Sequence, residues 1–116
     1  MAEFSYIVLD QKISGLIGLA RKAGQMATGL EAVRRAAFKG KLAMILVDES
    51  TGESSRKKAG NLAYRFRVPA YVVRSAAGSP GLSELIGYKI VGLYQGGFVK
   101  GIRDQLHQEH QWQKQR

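Results

Sequence analysis

The run Leu42-Ala43-Met44-Ile45-Leu46-Val47 constrains this chain more than any other feature: six apolar residues with no polar break. It is far shorter than the ~20 residues a membrane helix needs and too short for a buried helix. A run of this kind reads as a strand covered on both faces, and such strands sit centrally in sheets with helices on either side. The rest of the chain must then supply those helices.

Helical periodicity does supply them. Ile13, Leu16, Ile17 and Ala20 form one apolar face, with Lys12, Arg21 and Lys22 off it, and Gly24 terminates the helix. Thr28 and Glu31 have capping-box spacing at the head of a second helix. That helix buries Val33, Ala36 and Ala37, turns Arg34, Arg35 and Lys39 outward and stops at Gly40. Ser50 and Glu53 make a second capping box, before a helix with Ala59, Leu62, Ala63 and Phe66 inward. Pro69 disfavours helical geometry at Val68 and ends it. Ser79 as N-cap, Pro80 at the first position and Gly87 beyond the last turn frame a short helix carrying Leu82, Leu85 and Ile86. Phe98, Ile102 and Leu106 line a final helix. Residues 107–116 are polar and read as a tail or a frayed helix end. With strands at Ala70–Val73 and Ile90–Tyr94, strand and helix alternate. The fold class is α/β: a three-layer α/β/α sandwich with a small mixed sheet of about four strands, one domain over residues 1–106.

The 116 residues suit one domain. Cysteine is absent, which excludes disulfides, cysteine–zinc sites and thiol nucleophiles. The N-terminus carries Glu3 where a secretory signal has a base, so a cytoplasmic protein is expected. The net charge is +9, and it is localised: Lys12 to Arg74 holds thirteen bases and four acids. Such an excess suits a polyanion, because neutralising phosphates releases counterions. The alternative is a solvated basic surface. An anionic membrane fits less well, because no basic amphipathic helix with bulky aromatics is present.

Catalytic motifs fail in turn. Gly24 and Gly29 have the glycine spacing of a phosphate loop, but Leu30-Glu31 follow where Lys and Ser or Thr are required. No dinucleotide-binding glycine fingerprint occurs. Gly15 and Gly18 read as close-packing positions on an apolar helix face. His107 and His110 lack a third ligand cluster, so no metal or cofactor is expected. Asp48-Glu49, at the end of the central strand, is the one acidic pair in the basic region, and a helix-capping turn accounts for it. The chain reads as a non-enzyme.

One constellation stands out, at the start of the second helix. Thr28-Gly29-Leu30-Glu31-Ala32-Val33-Arg34-Arg35 combines helix N-terminal N–H groups, a carboxylate one turn in, and two guanidinium groups. Helix N-termini and arginines suit phosphates. The carboxylate suits the N–H edge of an exposed guanine, an edge read on non-helical RNA. A cap with ion pairs to Arg34 and Arg35 is the structural reading of Glu31, and the two are compatible.

From about Lys12 to Leu106 the chain resembles the kink-turn-binding ribosomal protein family (L-seven-Ae/L-thirty-e type), in its short bacterial branch. The resemblance rests on Thr28 to Arg35, on Gly40-Lys41-Leu42-Ala43-Met44-Ile45-Leu46-Val47-Asp48-Glu49, on Val68-Pro69-Ala70-Tyr71, and on Leu82-Ser83-Glu84-Leu85-Ile86-Gly87. It implies a sandwich that binds sharply bent RNA with sheared G·A pairs. Glu31 would touch a guanine edge, beside Gly29 and Leu30. Arg34 or Arg35 would fill a basic position, and Lys41 would support the RNA backbone. The loop from Arg74 to Gly81, including Ser75, Ala76 and Ala77, would face a flipped-out base. Leu30 stands where the family usually has Asn, the loop has only small residues, and Ser83 replaces a usual Gly. The expected partner is structured RNA, ribosomal RNA included, with ribosomal proteins as further candidates and the protein itself a monomer. The alternative is a ribosome-associated adaptor that turns its basic face to an acidic protein.

Overall fold

The computed structural model describes residues 4–114, with side chains as far as Leu106. The expectations for the polar stretch 107–116, including the His107/His110 pair, fall on side chains outside that range. In chain order the elements are β1 (Ser5–Leu9), α1 (Gln11–Lys22), β2 (Met26–Thr28), α2 (Leu30–Phe38), β3 (Leu42–Asp48), α3 (Glu53–Phe66), β4 (Ala70–Ser75), α4 (Leu82–Ile86), β5 (Ile90–Tyr94) and α5 (Gly97–Lys114).

All five strands form one mixed sheet in the order β1-β4-β3-β5-β2. β1, β4 and β3 run parallel, whereas β5 is antiparallel to both β3 and β2. β3 is central and buried along its whole length, as its composition requires. Met44 and Leu46 face a core built with Ile13, Ile17, Leu82, Val99 and Ile102 of α1, α4 and α5. Ile45 and Val47 face a second core with Val33, Ala36, Ala59 and Ala63 of α2 and α3. These two cores on opposite faces of one sheet are the expected three layers.

Several local expectations are corrected. The sheet has five strands because Ser5–Leu9, with its strand-forming Tyr-Ile-Val run, and the three-residue Met26–Thr28 pair at its two edges. Thr28 does not cap α2, because its backbone is committed to pairing with Val91; the N-cap is Gly29, and no side chain bonds there. Ser50 does not cap α3 either. Its N–H (2.9 Å) and its hydroxyl both donate to Asp48, and Gly52 takes the N-cap position. The N-cap of α4 is not Ser79 but Gly81, two residues later, whose N–H donates to Glu84 at 3.2 Å. Gly15 and Gly18 are not close-packing positions: a Cβ at either would meet open space. Among the described residues, no helix is long and apolar enough to cross a membrane.

Leu46 is fully buried in the larger core. Truncating it removes transfer energy and leaves a cavity that rigid neighbours only partly fill, so Leu46→Ala is expected to cost about 2–5 kcal/mol. Urea unfolding measures this directly as a lower midpoint at unchanged slope.

Candidate functional site

Strand direction decides which loops share a surface. β1, β4, β3 and β2 all end at the same end of the sheet, where β5 begins. That end therefore gathers the start of α2, the turn after β3, the β4–α4 loop and residues 87–89 before β5.

At the start of α2, Gly29 has φ 89° and ψ 155°. This combination is essentially restricted to glycine, since a Cβ would clash with the backbone. Its N–H donates to the Ile90 carbonyl at 2.8 Å, which fixes α2 to the first residue of β5. A Cβ here would also lie 3.4 Å from the ring of Tyr88, which is itself exposed. No side chain caps α2. The Glu31 carboxylate is thus not used as a cap; its side chain is 74% exposed and lies 4.0 Å from Arg34 Nη1. Exposed pairs of this length contribute little, so Glu31 is not consumed internally. Arg35 is exposed beside it, and Leu30 is half-buried.

The turn after β3 is organised by its acidic pair. Asp48 is buried, and its carboxylate accepts from Ser50 and from the N–H of Ser83 at 3.3 Å. Burial pushes the Asp48 carboxyl up, but bonds from the Ser50 hydroxyl and N–H and from the N–H groups of Ser83 and Leu82 outweigh it and hold it below the usual value of 3.8. Gly81 packs so closely that a Cβ would lie 3.3 Å from Asp48 Oδ1. Glu49 Oε2 accepts from the N–H (2.8 Å) and hydroxyl (3.1 Å) of Ser75. Asp48 and Glu49 therefore fasten the two ends of the β4–α4 loop to the central strand. Within that loop Ala77 is exposed and Ala76 half-buried. Arg74 points its guanidinium over the ring of Tyr6 on β1, 4.0 Å from the centroid.

The structure thus brings Gly29, Leu30, Glu31, Arg34 and Arg35 together on α2, and places Arg74, Ser75, Ala76 and Ala77 at the same sheet end. From β4 to β2 is three inter-strand spacings, about 14 Å at ~4.8 Å each. Lys41 does not join them. α2 carries the chain to the opposite end of the sheet, where Lys41 is exposed just before β3 and its N–H bonds the Ala36 carbonyl. Sequence reasoning missed Tyr88 and Lys89, which lie between α2 and the loop because β5 starts there. It also missed Tyr6, which holds Arg74. Among the described residues, no group of three His, Cys, Asp or Glu side chains is placed to hold a metal ion.

No protein-family model matches the chain. It is 29% identical over 96 residues to a protein named RNA-binding protein YlxQ from Enterococcus faecium, spanning 81% of this chain and 90% of the relative. Its structure is similar to that of a Bacillus halodurans protein of unknown function, with TM-score 0.69 and 26% identity over 82% of this chain and 96% of the other. The Giardia lamblia 15.5kD RNA binding protein shares the fold at TM-score 0.61 and 8% identity, with 80% of each chain covered.

Two measurements test this framework. Gly29→Ala forces a side chain into the strained conformation and against Tyr88, and is expected to lower stability by about 1–3 kcal/mol in urea unfolding. Asp48→Asn weakens charge-assisted bonds and is expected to cost about 1.5–3 kcal/mol near neutral pH. Because the folded Asp48 pKa is depressed, its stabilisation is complete above the ordinary carboxylate value and is lost as pH falls through the lower folded one. The gap between wild type and Asp48→Asn therefore narrows as pH falls below the ordinary carboxylate value of 3.8.

Proposed function

We propose that this protein is a non-catalytic RNA-binding protein that recognises bent, kink-turn-like RNA at the sheet end formed by Gly29–Arg35 and the Arg74–Gly81 loop. The observation that carries the reading is Glu31, an exposed carboxylate in the most basic part of the chain, relieved of capping by Gly29. For a ligand recognised through phosphate alone it is a repulsive element. For RNA with an unpaired guanine edge it is an acceptor matched to two N–H donors. The uncapped N–H groups at the α2 start and the guanidinium groups of Arg34 and Arg35 supply the phosphate contacts.

The relative named for RNA binding supports the ligand class, and the fold shared with the Giardia protein is compatible with it. Ribosomal RNA is one natural source of such a bend. The β4–α4 loop, lacking bulky side chains, covers a displaced base with the small surface of Ala76 and Ala77 and leaves stacking to other groups.

Titration with a kink-turn RNA and with its G·A-disrupted variant tests the proposal. Wild type is expected to prefer the intact RNA, and Glu31→Ala to reduce that preference by about 1–3 kcal/mol, roughly five- to 150-fold, while the disrupted RNA binds no more weakly than to wild type. Arg34→Ala and Arg35→Ala are expected to weaken both RNAs and each to lower the salt dependence by about one counterion. Equal affinity of wild type for the two RNAs overturns the kink-turn reading.

A further inference from the structure

A feature that shares Glu31, Arg34 and Arg35 with this site but extends well beyond it lies along the outer face of α2 and α3. Three adjoining depressions follow one another from Glu31 to Pro69. The first, about 300 Å³, lies between the helices and includes Glu31, Arg34, Lys58, Asn61 and Arg65. The second, about 420 Å³, shares Glu31 and Arg34 with it and adds Arg35, Phe38 and Lys39. The third, about 600 Å³, shares Arg65 and adds Tyr64 and Arg67. Their walls carry six cationic side chains against one carboxylate, and that carboxylate is Glu31 at the upper end.

Aromatic rings are interleaved with the cations. Phe38 is 53% exposed and Tyr64 69% exposed. Phe38 meets Phe66 edge to face with centroids 5.0 Å apart. The Arg65 guanidinium lies over both rings, at 5.0 and 5.3 Å, and Arg34 approaches Phe38 at 5.9 Å. These contacts hold planar cations at the surface without neutralising them. A solvated charged face needs no exposed phenyl and phenol rings, and an apolar protein-docking face would not be ringed by six like charges. Cations tracking a groove with rings between them fit a single nucleic-acid strand, whose phosphates and base faces need both.

We propose that the α2–α3 face is a second RNA contact, which takes a single-stranded flank leaving the sheet-end site past Glu31. Phosphates are neutralised by Lys58, Arg65 and Arg67, and bases stack on Tyr64 and Phe38. The assignment of the strand as a flank rests on the RNA reading of the Gly29–Arg35 site, but the groove's affinity for a single strand does not.

Binding of three RNAs to the intact protein separates the two: a kink-turn RNA without overhangs, the same RNA with an oligouridine overhang, and oligouridine alone. The overhang is expected to tighten binding by about fivefold or more, the scale of one stacked base. Tyr64→Ala and, independently, Lys58→Ala are expected to lose most of that gain and to weaken oligouridine binding, with the overhang-free RNA unaffected. Glu31→Ala is expected to behave inversely. If wild type binds oligouridine but neither kink-turn RNA, the sheet-end reading and the flank assignment fail while the groove stands as a single-strand site. If neither the overhang nor oligouridine responds to Tyr64→Ala or Lys58→Ala, the groove proposal is overturned whatever the kink-turn RNA does. Displacement of oligouridine by an acidic peptide with higher affinity assigns the face to a protein partner and likewise overturns it.

Discussion

Everything in this fold depends on β3 being buried on both faces. A strand with no solvent-facing side needs hydrogen-bonding neighbours on both edges and a helical layer above and below, and this chain meets the requirement with β4 and β5 alongside and α2–α3 and α1–α4–α5 across. The burial continues to the last residue of the strand, which is Asp48. A carboxylate taken out of water must find donors or abandon its charge. It finds them in Ser50 and Ser83, and in doing so fastens the turn before α3 and the start of α4 to the strand end. The surface proposed to meet RNA is therefore supported by a buried carboxylate. Its loops are held by Asp48 and by the exposed Glu49, which accepts from Ser75.

The helices and the three inner strands were legible because each carries its burial in its own local pattern. β1 and β2 were not. Only Ile7 and Leu9 of β1 are buried, since an edge strand has one covered face, and β2 is three residues long. The strand-forming Tyr6, Ile7 and Val8 of β1 show burial at alternate positions only, while β2 exists because a neighbour offers a hydrogen-bonding edge, which no local window contains. The capping boxes failed for a related reason. Thr28 and Ser50 have the right side chains at the right spacing, but the first is held in a strand and the second is captured by Asp48. Glycines took the N-cap positions instead.

The same distinction governs the site. Gly29 to Arg35 was readable because a helix keeps sequence neighbours on one surface. Lys41, only six residues further on, lies at the opposite end of the sheet because α2 and its turn carry the chain there. Conversely, Tyr88 touches the position of Gly29 from almost sixty residues away. That cations of α2 and α3 line one groove was not legible, since it required knowing that the two helices are adjacent on one layer.

The geometry also gives a physical sense to an acid among so many bases. Cations bind any polyanion and raise specific and nonspecific affinity together. Selectivity is a difference between two affinities, and it grows when an element penalises the wrong ligand as well as when one rewards the right one. Glu31 is placed to do both in the proposed reading: it opposes a phosphate-only ligand and accepts from a guanine edge. That dual effect requires the carboxylate to be unspent, and the backbone secures this. Gly29, in a conformation closed to other residues, occupies the N-cap without a side chain and leaves Glu31 exposed and only loosely paired with Arg34. Had Thr28 been the N-cap, Glu31 would stand at the third helical position and close the reciprocal bond of a capping box; with Gly29 as N-cap it stands at the second and does not. On this view the strained glycine contributes to specificity without touching the RNA, by determining what the next acidic side chain is free to do.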